Sequence, residues 1–317
     1  MTAQFRLTIR IGCAGALALA FAAAPAVLRA QAPAPSAVSA ATALPDPAKL
    51  DIRPLGPDAW VLIGQSGNVV IVKGPEGCLL IDDERARDAP EIISAYRHVA
   101  PGAVRYVVNT HWHLDHSGGN PVFAKLGAVI VAQREVRARR AVEQFMPAYN
   151  SHIPPAAPQD LPQVVFDDRL ELHVGDETVH LVHAPRAHTD GDAIVWLERA
   201  NAVHMGDIYF NGIWPFIDRA SGGSIQGAIA AVDQVLAKAD DKTTIIPAHG
   251  EIATKAQLKA YRDMLVDVQA KVKAGIKAKK TLAQIVASKP ALAYEKGMEG
   301  REQVFVEAIY GSLVKPR

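Results

Sequence analysis

The segment Asn109-Thr110-His111-Trp112-His113-Leu114-Asp115-His116-Ser117-Gly118-Gly119-Asn120 constrains this chain more than any other. Four side chains able to bind a metal, His111, His113, Asp115 and His116, fall within six residues. They follow Val104–Asn109, an apolar run of strand character, so the cluster stands at a strand's carboxyl end. If the strand continues through it, His111 and His113, two apart, point to one face, with Asp115 and His116 on the turn beyond. Imidazole with carboxylate suits Zn²⁺, and Fe or Mn to a lesser degree. Four ligands in one turn do not close around a single tetrahedral ion. Two ions sharing the cluster is the natural arrangement, and the remaining ligands must come from elsewhere in the chain.

Three later positions qualify: His188 in Ala187-His188-Thr189-Asp190-Gly191-Asp192, Asp207 in Met205-Gly206-Asp207, and His249 in Pro247-Ala248-His249-Gly250. Each lies near glycine at an expected strand end, where open α/β folds place their sites. Of the other histidines, His98, His152 and His173 read as surface positions. His180, His183 and His204 fall in strands, where they orient a loop or fill core rather than ligate.

The remaining pattern alternates strands with helices, which argues for sheets covered by helices. Strands are expected at 59–63, 68–73, 78–81, 104–109, 128–132, 170–174, 178–183, 193–198, 202–205 and 243–246. Gly64-Gln65-Ser66-Gly67 marks a hairpin. Helices are expected at 89–100, from Asn120 as N-cap with Pro121 first in the helix, over 134–146, and over 224–239. Capping boxes at Thr254…Gln257 and Thr281…Gln284 open two more, the first carrying Leu258, Tyr261, Leu265, Val268, Val272 and Ile276 on one face. Residues 147–162 hold five prolines and read as an irregular loop. Together with the helix before it, this segment is either a solvated excursion or a wall or lid over a site. Cys78 reads as a small buried hydrophobe.

With these residues in view, the chain resembles the metallo-β-lactamase superfamily over about residues 50–250, with all five metal-binding motifs in order. The resemblance implies a four-layer αββα sandwich of the α/β class with a two-zinc site at one edge of the sheets. It assigns His111, His113 and His188 to a first site and Asp115, His116 and His249 to a second. Asp207 matches the position that bridges both ions in the glyoxalase II type. Asp82 resembles the aspartate that supports the histidine loop, in an outer-shell role; its alternative is a plain turn residue. The segment from His188 to Glu198 is similar to the β-lactamase subclass that uses a cysteine ligand. That subclass places Cys where Asp207 stands, and a substrate-binding Lys where Phe210 stands. Tyr209, Phe210 and Trp214, with Phe216 close by, form either an apolar wall for substrate or core.

The amino terminus reads as an export signal over 1–32: Arg6 and Arg10, an apolar run from Ile11 to about Leu28, then Ala30-Gln31-Ala32 as a cleavage site. A retained anchor is the alternative for an apolar run of this length. Residues 33–48, rich in Ala, Pro and Ser, read as a disordered tether, and 49–317 as the folded domain. Cleavage removes three arginines and no acid, which takes the formal charge from +1 to −2. That balance and an aromatic content of 6% argue against nucleic-acid partners. Two cysteines, Cys13 and Cys78, exclude a disulfide framework.

The expectation is thus a periplasmic two-zinc hydrolase of cyclic amides or esters. Its nucleophile is a metal-bridging hydroxide, Asp115 is the proton carrier, and β-lactams are the leading substrates. A glyoxalase II-like thioesterase or lactonase is the alternative, and a non-catalytic metal- or ligand-binding factor the second. The partner expected is a small-molecule substrate. No membrane association after cleavage and no obligate protein partner are inferred.

Overall fold

The computed structural model describes residues 44–314; the expected signal sequence and most of the tether lie outside them. The last tether residues pack rather than trail. Pro47–Lys49 forms a 3-10 turn whose entry Asp46 caps, and the Ser94 hydroxyl donates to the Pro45 carbonyl at 2.6 Å.

Two sheets form the centre. The first runs β1 (Ile52–Gly56), β2 (Ala59–Ile63), β3 (Asn68–Gly74), β4 (Gly77–Ile81), β5 (Val104–Asn109), β6 (Val129–Gln133) and β9 (Val164–Phe166) in that spatial order. β1 to β4 are antiparallel neighbours, and β4, β5, β6 and β9 are parallel. The second sheet is β10 (Arg169–Val174), β11 (Glu177–Ala184), β12 (Asp192–Leu197), β13 (Ala202–His204) and β14 (Thr244–Ile246), antiparallel except for β13–β14.

Strand alternation sorts the residues into layers. Val70 and Val72 of β3, Leu79 and Ile81 of β4, and Ala193, Val195 and Leu197 of β12 meet in one cluster between the sheets. Their neighbours point outward. Val69, Ile71 and Leu80 pack under α1 (Ala89–Val99) and α3 (Asn120–Lys125). Ile194, Trp196 and Val203 pack under α5 (Ile225–Lys238), α6 (Lys255–Lys277) and α8 (Glu302–Leu313). The result is the expected helix–sheet–sheet–helix stack. Both capping boxes form, opening α6 and α7 (Leu282–Ala287), with each threonine accepting from the N3 amide and each glutamine closing back. Cys78 is 1% exposed, and burial pushes its thiol up to about 12.

β5 ends at Asn109 as expected, so His111 and His113 stand on the turn before α2 (Leu114–Ser117), because the Thr110 amide leaves the ladder to donate to Asp82 Oδ1 at 2.7 Å. Three local expectations are corrected. Asn120 is the first helical residue, with Gly119 as cap and Pro121 second. The helix from Arg134 ends at Arg140 (α4, Arg134–Arg140). Beyond it β7 (Gln144–Met146) pairs with β8 (Ser151–Ile153), a hairpin turned through Asn150 at φ +46°. β1, β9 and α8 carry too short or too uniform an apolar pattern to read from sequence.

Phe305 places α8 inside the core beneath the second sheet, fully buried and stacked on Trp214 at 6.0 Å. Phe305→Ala is expected to cost about 3–5 kcal/mol, read as a lower urea midpoint with an unchanged slope.

Candidate metal centre

The topology gathers the chemistry at one sheet edge. β4 and β5 are parallel, so Asp82 and the histidine turn leave from the same end. β13 and β14 are parallel, so Asp207 and His249 do too. β12 runs antiparallel to β13, so His188, which precedes it, joins them. Thr110 stitches the two sheets together: its carbonyl accepts from Ala193 N at 2.8 Å. Gly206 lies against the Thr110 side chain, at φ +53°. A Cβ there would meet the Thr110 hydroxyl at 2.9 Å, so only glycine serves both the conformation and the approach.

Seven ligand-type side chains converge in two groups: His111, His113, His188 and Asp207, and Asp115, His116 and His249. In the first, His113 presents Nδ1, 3.1 Å from His111 Nε2 and 3.0 Å from His188 Nε2. In the second, Asp115 Oδ2 lies 3.9 Å from His116 Nε2 and 3.8 Å from His249 Nε2. Asp207 faces both. Its Oδ2 is 3.5 Å from His188 Nε2 and 3.8 Å from His111 Nε2. Its Oδ1 is 3.3 Å from His116 Nε2 and 3.2 Å from His249 Nε2.

The outward ring nitrogens are held. His116 Nδ1 bonds Asp82 Oδ2 at 2.9 Å, and His188 Nδ1 donates to the Phe216 carbonyl at 2.7 Å. His113 Nε2 bonds Asp218 Oδ2 at 3.0 Å, and His111 Nδ1 lies 3.2 Å from the Thr110 hydroxyl. Such bonds fix ring orientation and tautomer, so that the inward nitrogens offer lone pairs.

Charge alternates across the cavity floor. Burial opposes charge on His116, yet Asp207, Asp115 and Asp82 hold it well above the ordinary imidazole range. His249 is raised against the same opposition by Asp207. Burial also works against Asp207, but His249, His116, His188 and His111 keep its carboxyl well below the usual range. Burial drives His111 well down and His188 down to about 4. His116 Nε2 and Asp207 Oδ1 are both buried without a hydrogen-bond partner. Buried polar atoms rarely stay unpaired, and a cation between these two would satisfy both. The donor set, imidazoles with carboxylates, is one that Zn²⁺ accepts.

A cavity of about 470 Å³ opens over this floor. Phe210 lines it, stacked on the His249 ring at 5.6 Å. Tyr209 and Trp214 do not. Both are buried, Tyr209 against Tyr261 at 4.8 Å and Trp214 on Phe305, so the expectation that they contact substrate is corrected: they hold the helical layer to the sheet. The β7–β8 hairpin is a wall of the cavity, contributing Met146, Tyr149, Ser151 and Ile153.

Sequence reasoning missed Asp218, Arg85 and Tyr149. Asp218 had a signal in Asp218-Arg219-Ala220-Ser221, an aspartate caging its own turn: Ser221 Oγ donates to Asp218 Oδ2 at 2.6 Å, and Trp112 Nε1 donates to Ser221 Oγ at 3.0 Å. His180 and His183 pair with Glu198 and the Asp190 carbonyl, and the buried His204 bonds the Asn68 carbonyl, so none of the three joins the two ligand groups.

A sequence model of the metallo-beta-lactamase superfamily matches residues 62–249, and the chain belongs to that superfamily. Among solved structures it is similar to a metallo-beta-lactamase from Pontibacter korlensis, at 17% identity and TM-score 0.57, covering 69% of this chain and all of that one. It is similar to the DIM-1 metallo-beta-lactamase at 16% identity and TM-score 0.54, covering 70% of this chain and 97% of that one. A double mutant of the sec-alkyl sulfatase PisA1 aligns at 16% identity and TM-score 0.63, covering 82% of this chain and 50% of that one.

Asp218 orients His113 from outside the cavity. Asp218→Ala is expected to lower zinc affinity about 10–100-fold, measured by competition with a chromogenic chelator.

Proposed function

We propose that the chain is an exported two-zinc hydrolase of cyclic amides or esters, with β-lactams the first substrates to test. The observation that carries this is Asp207, whose two oxygens face separate groups of nitrogen and oxygen donors. His111, His113 and His188 would hold one ion, Asp115, His116 and His249 the other, and Asp207 would lie between them. Zinc bound there supplies a Lewis acid and an activated water at neutral pH.

The chain's own residues do the rest. Asp115, with its side chain 26% exposed to the cavity, is the group placed to carry a proton between the floor and the leaving atom. Its carboxylate stays charged because the facing His116, His113 and His249 outweigh burial and the neighbouring Asp207. Phe210 and Phe216 exclude water from the apolar side of a bound substrate. The export signal at 1–32 would deliver the protein to the periplasm, free of the membrane after cleavage, with a small-molecule substrate and no obligate protein or nucleic-acid partner.

Phe210, apolar where a substrate-gripping lysine would stand, favours a second reading: a lactonase or thioesterase of glyoxalase II type, which the bridging placement of Asp207 also suits. Purified without chelator, the protein is expected to contain about two zinc ions per chain. His111→Ala is expected to lose first-site metal and nearly all activity. Steady-state kinetics on a carbapenem, a lactone, a thioester and a sec-alkyl sulfate decide among substrates. Slow carbapenem turnover limited by KM supports the first reading. Fast lactone or thioester cleavage with no carbapenem turnover moves the assignment to the second. A fully active metal-free protein would overturn both.

A further inference from the structure

The loop after β4 is tied down residue by residue. Asp82 accepts from the Thr110 amide and hydroxyl at 2.7 and 2.8 Å. Asp83 accepts from the Gly119 amide at 3.0 Å. Glu84 reaches across to the β2–β3 turn and accepts from the amides of Ser66 and Gly67 at 2.7 and 3.0 Å. All three are buried, and Asp82 and Glu84 hold left-handed backbone, at φ +63° and +52°. Aspartate tolerates this conformation, but glutamate avoids it unless its surroundings impose it, and such strain concentrates at working sites. Gly118 lets the loop come close: a Cβ there would stand 3.2 Å from Arg85 Cα.

The residue these anchors deliver to the cavity is Arg85. Its side chain is 43% exposed, and its nearest acid is Asp115, at 3.9 Å, beyond hydrogen-bond range. Among the described residues its guanidinium makes no hydrogen bond, and no other Lys or Arg lines the cavity. Arg85 stands on the Asp115 side of the floor, whereas Phe210 covers the His249 side. The remaining walls are mainly apolar, with the Tyr149 and Ser151 hydroxyls the polar exceptions.

We infer that Arg85 is the specificity-determining residue of the site: it binds a carboxylate or similar anion on the substrate, selecting acyl compounds that carry a negative charge beside an apolar body. The inference rests on the hydrolase reading for its catalytic consequence, but not for binding. The planar guanidinium suits two-point contact with a carboxylate, and partial shielding by the cavity strengthens it.

The test uses zinc-loaded protein and two matched pairs. 4-Nitrophenyl hydrogen adipate and 4-nitrophenyl hexanoate differ only in the distal carboxylate; adipate and hexanoate do the same without a scissile bond. The wild type is expected to show a KM for the adipate ester about tenfold below that for the hexanoate ester, and a matching preference for adipate over hexanoate by calorimetry. Arg85→Gln is expected to erase both preferences, with the adipate-ester KM rising about tenfold to that of the hexanoate ester and zinc content retained. Arg85→Lys should restore part of each. Equal loss on both esters, or loss of zinc, would show that Arg85 only supports Asp115 and would overturn the inference, as would a wild type with no preference. Arg85-dependent adipate binding without hydrolysis of either ester would sustain the anion site and remove the hydrolase reading instead.

Discussion

The Asp82 carboxylate is the contact on which the rest depends. It is buried, sits at the end of β4, and is bonded to the Thr110 amide, the Thr110 hydroxyl and His116 Nδ1. By drawing the Thr110 amide out of the ladder it ends β5 and turns the chain into the histidine cluster. Thr110 then links the two sheets, through its carbonyl to Ala193 and through its side chain to Gly206. One carboxylate therefore sets the place of His111, His113 and His116 and, through Thr110, the separation from His188 and Asp207. Every one of these groups is nearly inaccessible to water, where hydrogen bonds hold geometry most firmly.

The concentration of charge at this point suits a cation. Three aspartates and two histidines of raised basicity lie within a few ångströms, and two of their inward atoms find no partner. Burying such groups unpaired is costly. The protein accepts that cost because the outer bonds, Asp82 to His116, Asp218 to His113 and the Phe216 carbonyl to His188, leave the rings no other orientation. Without metal, the carboxylates of Asp207 and Asp115 favour protons on His116 and His249. Metal binding must displace them, which ties affinity to pH.

Three segments of the chain build walls around this floor. The β7–β8 hairpin supplies one side, the strained loop ending at Arg85 another, and Phe210 and Phe216 a third. The floor gathers the metal-binding groups, and the walls decide what reaches it.

Much of this was legible in the sequence. The histidine–aspartate cluster, the later His188, Asp207 and His249, most of the inner strands and both capping boxes were readable, because each is a local pattern: ligand spacing, period-two alternation, or a threonine three residues before a glutamine. Asp207 and its preceding Gly206 were legible as a strand end. Their mutual placement was not. That His113 turns Nδ1 rather than Nε2 toward the other histidines, and that Asp207 faces both groups, follows from Asp82 breaking the ladder 28 residues away, from Asp218 holding Nε2, and from the pairing of β12 with β13. Tyr209 and Trp214 looked like substrate contacts because they follow a site residue. Only the packing of α6 and α8 decided that they point into the core. Arg85, in a run of charged residues, carried no signal of its own. Its neighbours' carboxylates are spent on amides far along the chain, and only those long-range bonds leave it facing the cavity. Local sequence fixes which groups a strand end can offer, because spacing and periodicity are properties of adjacent residues. Tertiary structure decides which of them meet, because burial and hydrogen bonding are settled between segments that the chain keeps far apart.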